Sequence, residues 1–431
     1  MTIPLLPGYS RRQFIKTGAA ASLLPLLGSV TPVFAAGSDR LRIGLVGCGW
    51  RGIGAVRNCI AADASVQLVA LGDVFADRVD AAMKEFTEGG DEKRPPLPKE
   101  QFAVARERCF SGFDAYKQVI DSGVDLVLLV TPPQFRPLHL QAAVEAGVHV
   151  FMEKPVAVDP VGARRVMQLS DLAAQKKLAI VAGTQRRHSA DYLETMARIK
   201  DGAIGELVGG SCYWMQEGLW HRGRQPEWTE MEYQIRNWLY FTWLSGDHIV
   251  EQHMHNIDIM NWAFGGPPVK AFGLGGRQSR TDPQYGNVWD HFSVEFEYAN
   301  GVRVQSLCRQ VPGTSTRVSE RLVGTKGTAN PSGTIRGEQF WKFAGQLVNP
   351  YDQEHVDLIR SIRAGTPLNE GRQVAESTLT AMLGRISAYT GREVGYPWLL
   401  EASKLDLTPA AYAWGDAPAV EIPVPGVTPL I

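Results

Sequence analysis

Between residues 41 and 183, short apolar runs alternate with amphipathic stretches. LRIGLVG (41–47), VQLVALGD (66–73), DLVLLVT (125–131), VHVFM (148–152) and LAIVAG (178–183) are rich in branched residues and nearly free of polar ones. That is the pattern of strands buried on both faces. GAVRNCIAA, RVDAAMKEF, PLHLQAAVEAG and a stretch at about 160–176 carry helical spacing between them. Repeated βα units predict a doubly wound parallel sheet. EGGDEKRPPLPKE (88–100) is a polar Pro/Gly loop on the surface. After residue 200 the pattern changes. LVGGSCYWMQ, VKAFGLGG, HFSVEFEYA and VRVQSLCRQ alternate partially, and ANG joins the last two as a hairpin. Helical spacing returns within 230–264, at 352–364 and at 373–390. The fold class is therefore α/β, with a nucleotide-type parallel sheet over 38–185. An α+β domain with a large open, mostly antiparallel sheet follows over 186–395. A Pro-punctuated tail, 396–431, wraps the surface.

Length agrees with two domains, since 431 residues exceed one ordinary core. A net charge of −1 gives no reason to expect nucleic acid as partner. Five scattered cysteines, never spaced as CxxC, offer neither a zinc site nor a disulfide framework. The first 36 residues read differently. SRRQFIK (10–16), a modest apolar run and VFAA (33–36) compose a twin-arginine signal peptide. The run is too short and too broken by Gly and Pro for stable membrane insertion. Export through the twin-arginine machinery to the periplasm or beyond is expected, with the protein already folded.

GLVGCGWRG places Gly47, Gly49 and Gly52 in the G-x-G-x-x-G spacing, after a strand and opening a helix. The glycines permit a tight turn and close backbone approach, and the helix N-terminus faces a pyrophosphate. Trp50 and Arg51 lie inside that loop. Asp73 ends the second strand and is placed to accept from an adenosine ribose. Its charge favours NAD over NADP, although Arg78 lies near. The expected first domain is thus a Rossmann-type nucleotide domain. Thr131 and Pro132 end the next strand and are expected to line the nicotinamide pocket. Lys154 also leaves a parallel strand at its carboxyl end, where such sheets place ligands, and there it can stabilise a developing alkoxide.

These features together resemble one family. The glycine motif, TPP (131–133) and EKP (Glu153, Lys154, Pro155) are similar to the Gfo/Idh/MocA oxidoreductases, and QEHVDLIRSIRAGTPLNEG and VAESTLTAMLGR look like that family's closing helices. The resemblance covers roughly 40–395. It implies NAD(P)-dependent chemistry on CH–OH groups of sugars or polyols, Glu153 and Lys154 at the cofactor, and a homo-oligomer built on the open sheet.

GDHIVEQHMHNID (246–258) holds three of the chain's nine histidines. The family pattern of an acid, a histidine four residues on and an acid three further maps onto Glu251, His255 and Asp258. On a helix at 100° per residue, positions 248, 251, 255 and 258 fall within roughly 80°. His255 is then the expected general base and Glu251 its orienting acid, where the family more often carries Asp. Asp258 is structural or meets substrate, and Asp247 is an N-cap. His253 points about 160° away from His255, so no metal is expected.

Residues 213–243 contain nine aromatics with Arg222, Arg224 and Arg236 interleaved. Aromatic faces stack on sugar C–H surfaces, which makes Trp238 a substrate candidate. GTQRRHSADY (183–192) leaves the sixth strand and adds Gln185, Arg187 and His188. The expected function is exported NAD(H)-dependent hydride transfer on a carbohydrate, with a tightly bound cofactor and Lys154–His255 as acid–base pair. An NAD-dependent glycosidase working through a transient keto-sugar is the first alternative. A non-catalytic sugar-binding protein is the second.

Overall fold

The computed structural model describes residues 40–431; the expected signal peptide, 1–36, lies outside the described residues. The first sheet contains β1 (Leu41–Val46), β2 (Val66–Asp73), β3 (Cys109–Ser111), β4 (Leu126–Leu129), β5 (His149–Met152) and β6 (Ile180–Ala182). Their spatial order is β3-β2-β1-β4-β5-β6 and every pairing is parallel. The order reverses beside β1, where a crevice opens at the strands' carboxyl ends. Apolar residues on both faces explain the alignment, because helices cover the sheet from each side.

The second sheet has nine strands in the order β14-β13-β12-β11-β7-β10-β9-β8-β15. They are β7 (Leu207–Gln216), β8 (Lys270–Gly276), β9 (His291–Glu297), β10 (Arg303–Gln310), β11 (Arg317–Gly324), β12 (Gly327–Asn330), β13 (Thr334–Gly337), β14 (Trp341–Lys342) and β15 (Val394–Gly395). Only β7 with β10 is parallel; the other pairings are antiparallel. β9 and β10 form the expected hairpin, with Gly301 at φ +77 in its turn. Alternate residues Phe292, Val294 and Phe296 are buried on one face. Helices Met254–Phe264 and Gly371–Thr390 cover that side, while Phe272 and Leu274 stay exposed on the other. No helix among the described residues is long and apolar enough to cross a membrane.

The chain does not divide cleanly at residue 185. Helix Pro350–Arg363 returns to pack against helix Trp50–Ala62 of the first domain. Its Leu358, Ile359 and Ile362 share one buried cluster with Ile43, Leu45, Val56 and Phe86. The Ile180 N–H donates to Leu368 O at 2.9 Å, and Glu370 N donates to Ile180 O at 2.8 Å, extending the edge of β6. The tail also ties the two domains. Trp414 packs 4.8 Å from Phe113 and 5.6 Å from Phe75 in the first domain. Its neighbour Gly415 accepts at 3.0 Å from Met231 N in the second.

Leu358 is fully buried in the first domain's core although it lies late in the chain. Leu358→Ala is expected to lower unfolding free energy by roughly 2–5 kcal/mol, read by urea denaturation. A loss below about 1 kcal/mol would contradict this helix being part of that core.

Candidate functional site

The glycine loop has the backbone its spacing predicts. Gly47 sits at φ +102, where a Cβ would lie 2.6 Å from the Val130 carbonyl carbon. A Cβ on Gly52 would come within 1.9 Å of Gly47 O, so the helix closes onto the turn only with glycine there. A Cβ on Gly49, the N-cap of helix Trp50–Ala62, would meet nothing within 4 Å. That open side faces a cleft of about 410 Å³ bounded by Gly47, Gly49, Asp73, Val130, Thr131 and Pro132. Asp73 Oδ2 accepts from Cys48 N at 2.7 Å and Oδ1 from Phe75 N at 3.0 Å. Burial raises its pKa, against the pull of those two N–H groups and of Arg78. The glycine cradle, the free helix N-terminus and the acid at the end of β2 fit a dinucleotide.

Two loops bring chemistry to the inner end of this cleft. Buried Arg136 donates to Leu129 O at 2.9 Å and to Thr131 O at 2.8 Å, and reaches Pro155 O at 3.4 Å. It fastens the exits of β4 and β5 together, a role absent from the sequence reading. Arg51 and Glu153 are already committed. Arg51 pairs with Glu153, donates to Glu354 at 3.3 Å and Asn58 at 3.1 Å, and lies over Tyr351. Trp50 is 67% exposed beside Arg94. Trp50 and Arg51 line the cleft wall.

Lys154 crosses to the second domain. Its Nζ donates to Glu251 O at 2.7 Å and to Glu251 Oε1 at 3.1 Å. This corrects the single helix expected over 248–258. Helix His248–Glu251 ends, Gln252 and His253 form a break, and helix Met254–Phe264 follows. The Glu251 carbonyl would accept from His255 N in a continuous α-helix. It is taken by Lys154 instead, and His255 N turns to Gln252 O at 3.3 Å.

The histidines separate. His253 Nε2 meets Ser306 Oγ at 2.8 Å under the sheet. His248 is buried, with both ring nitrogens unpartnered among the described residues. Among the described residues no three His, Cys, Asp or Glu side chains are placed to hold a metal ion. Asp247 caps His248 N at 2.5 Å, and its other oxygen accepts from Trp289 N at 2.8 Å. The His255 ring stacks on Trp214 at 5.7 Å between centroids and makes no hydrogen bond to the described protein. Burial above all, then the charges of Lys154, Arg186 and Arg51, hold its pKa well below the usual histidine value. Among the described residues, Glu251 Oε2 and Gln185 Oε1 are buried acceptors without a partner. An unmatched acceptor is costly unless something donates to it, and a polyol hydroxyl does so.

Other named residues go elsewhere. Arg187 and Asp258 form a bidentate pair at 2.8 and 2.9 Å, and Asp258 also accepts from Ser377 at 2.7 Å. In this structure their charges neutralise each other. His188 lies between Asp357 at 2.8 Å and Glu370 at 3.1 Å. Burial opposes its charge, but those two carboxylates and Glu354 outweigh it and push the pKa up to about 10. Gln185 Nε2 donates to Tyr351 OH at 3.2 Å. Trp238, expected beside a sugar, lines the dinucleotide cleft with Trp220, Arg222 and Arg236. The reason is local: helix Glu230–Arg236 seats Arg236 over Phe75, 3.8 Å from its ring centre. Tyr233, Tyr240, Phe241 and Trp243 are core. Trp214, one of the nine aromatics of 213–243, lies against His255, while Arg186, whose charge also reaches His255, was missed. Arg186 neighbours three named residues, but only the turn Gln185–His188 decides which side chain points inward.

Known proteins match this arrangement over most of its length. Residues 41–183 match an oxidoreductase family with an NAD-binding Rossmann fold, and 192–330 match the GFO/IDH/MocA C-terminal domain. The chain belongs to the GFO/IDH/MocA family. It is an NAD-binding oxidoreductase. It is 25% identical to inositol 2-dehydrogenase 3 of Saccharopolyspora erythraea over 339 residues, covering 75% of this chain and 86% of the relative. It is also 25% identical to a glycosyl hydrolase family 109 protein of Shewanella pealeana, across 49% of this chain and 47% of that one. The fold is shared with scyllo-inositol dehydrogenase from Lactobacillus casei, solved with NAD(H) and scyllo-inositol. That likeness has a TM-score of 0.62 at 18% identity and covers 83% of this chain and all of the other (100%).

His188 gives a pH signature. Its folded pKa exceeds the ordinary 6.5, so its contribution is complete below that value and is lost as pH rises through about 10. The stability gap between wild type and His188→Gln, from urea unfolding, is expected to shrink steadily from neutral pH to about 10. A gap that grows or stays constant would contradict the ion-pair assignment.

Proposed function

We propose that the protein is an exported oxidoreductase that moves hydride between NAD(H) and a C–OH centre of a sugar or polyol. Lys154 and His255 are its acid–base pair and Glu251 positions them. The observation that carries this reading is the seating of Lys154 Nζ on Glu251 O and Oε1 beside His255, whose ring makes no hydrogen bond among the described residues. A nicotinamide bound in the cleft supplies the hydride acceptor or donor. An ammonium has three donors; two are engaged by Glu251, and the third is available to a substrate oxygen. It stabilises alkoxide character as the hydroxyl proton leaves. His255 takes that proton, and its depressed pKa keeps the ring neutral and able to accept. Glu251 Oε2 and Gln185 Oε1 receive neighbouring hydroxyls, which favours a polyhydroxylated substrate over a simple alcohol. The outer face of the second sheet, with Phe272 57% and Leu274 63% exposed, is the proposed self-association surface. The twin-arginine leader is the proposed route of export, and a firmly held cofactor follows from a destination without free NAD.

A second reading rests on the family 109 glycosyl hydrolase relatives. There the same hydride transfer is transient, a leaving group is eliminated, and the ring is reduced again. The two readings part on products. Net nicotinamide reduction by free polyols supports the first; aglycone release without it supports the second.

A screen of aldoses, polyols and glycosides on nucleotide-loaded protein identifies the substrate. Lys154→Met and His255→Ala are then each expected to lower kcat/KM by about 10²–10⁴-fold while nucleotide affinity holds. Undiminished turnover in either variant would refute its role. In the oxidation direction, the acid limb of kcat/KM should fall below the ordinary histidine value of 6.5. A limb at or above that value would show that His255 is not the base in the environment described.

A further inference from the structure

A cavity of about 760 Å³ lies between helix Gly371–Thr390 and the tail, and shares no lining residue with the dinucleotide cleft. Trp243, Ile386 and Tyr389 form its floor, and Leu405, Leu407 and Trp414 of the tail form its roof. Its size and mostly apolar walls are those of a small-molecule site. The buried polar groups of the lining are engaged with one another or with main chain. Tyr389 donates to Asp247, and Thr390 Oγ1 donates to Ile386 O at 2.8 Å. Asn287 accepts from Thr242 N at 2.9 Å and donates to Glu421 O at 3.1 Å.

Arg385 is the exception. It lines the cavity yet is only 1% exposed. Its Nη1 donates to Gly246 O at 2.8 Å, while Nε is buried with no hydrogen-bond partner among the described residues. Asp247 and Asp159 attract it through space, but their oxygens are held by other donors. Asp247 accepts from His248 N, Trp289 N and the Tyr389 hydroxyl. Asp159 accepts from Gly162 N at 2.6 Å and from Leu407 N at 2.9 Å. A guanidinium keeps its charge in the interior, and a buried donor left unmatched is costly until an acceptor arrives. Asp406, Asp416 and Glu421 stand at the exposed rim, where they repel a polyanion more than a single negative charge.

We propose that this cavity binds an aliphatic monocarboxylic acid, with its carboxylate on Arg385 and its chain against Trp243, Ile386, Leu405 and Leu407. The carboxylate supplies the charged acceptor that the guanidinium lacks. The chain fills apolar space and is removed from water. The site stands whether or not the protein transfers hydride. It also has a route to the cofactor, because Trp414 in its roof packs on Phe75, which lines the dinucleotide cleft.

Calorimetric titration of the purified protein with decanoate, kept below its micelle concentration, and with decan-1-ol tests this. Decanoate should bind once per chain, with a dissociation constant on the order of 10 µM, and decan-1-ol at least about tenfold more weakly. Arg385→Met should erase the preference for the acid. Ala417→Phe, which fills the cavity from the tail, should weaken decanoate at least about tenfold. It leaves Arg385 untouched and decides the case if the arginine variant does not fold, as thermal unfolding will show. No saturable decanoate binding overturns the proposal. So does decan-1-ol binding as tightly as the acid, or undiminished decanoate binding in Ala417→Phe, which would place the ligand elsewhere. Decanoate binding by a protein that binds no NAD would sink the oxidoreductase reading and leave this site standing.

Discussion

One contact organises the site: the Lys154 ammonium seated on the main-chain and side-chain oxygens of Glu251. The lysine at the end of β5 finds its acceptors in the second domain. By taking the Glu251 carbonyl it withdraws that carbonyl from the helix, and the chain breaks at Gln252–His253. The break restarts the helix at Met254 and sets His255 on Trp214. A single charge-assisted bond thus joins the domains, shapes the local backbone and fixes the distance between the two proposed proton carriers. Its net worth to stability is modest, since both partners are desolvated. Its consequence is positional.

The surroundings obey the same demand that buried charge be paired. Arg51 bridges Glu153 and Glu354, Arg187 holds Asp258, His188 bridges Asp357 and Glu370, and Arg186 holds Glu320. These pairs join helix Pro350–Arg363, the exit of β6 and the second sheet around the substrate side of the cleft. Among the described residues, the buried atoms left without a partner include Glu251 Oε2, Gln185 Oε1, Thr184 Oγ1, Glu354 Oε2 and both His248 ring nitrogens. Unsatisfied groups in an otherwise saturated lining are where a ligand gains most, because binding removes a penalty already present in the free protein.

The parallel sheet and its glycine loop were legible from the chain because both-face burial leaves uninterrupted apolar runs and the turn admits only glycine at Gly47 and Gly52. Lys154 was legible from its place at a strand end. Three things were not. Helical phase drew Asp258 into the site, but phase cannot know that Arg187 will reach it first. The aromatic density of 213–243 was visible, yet its destination depends on Arg236 lying across Phe75, a contact 161 residues away in sequence. The return of helix Pro350–Arg363 to the first domain left no local trace, since an amphipathic helix does not name the surface that buries it.

Under the proposed function, a substrate carbon and a bound nicotinamide exchange hydride directly between these residues. This exchange is tested by incubating NAD-loaded protein with a polyol substrate deuterated at the oxidised carbon and analysing the nucleotide by mass spectrometry. One deuterium is expected on the reduced nicotinamide ring, absent in Lys154→Met. Oxidised product with no deuterium on the nucleotide would contradict it.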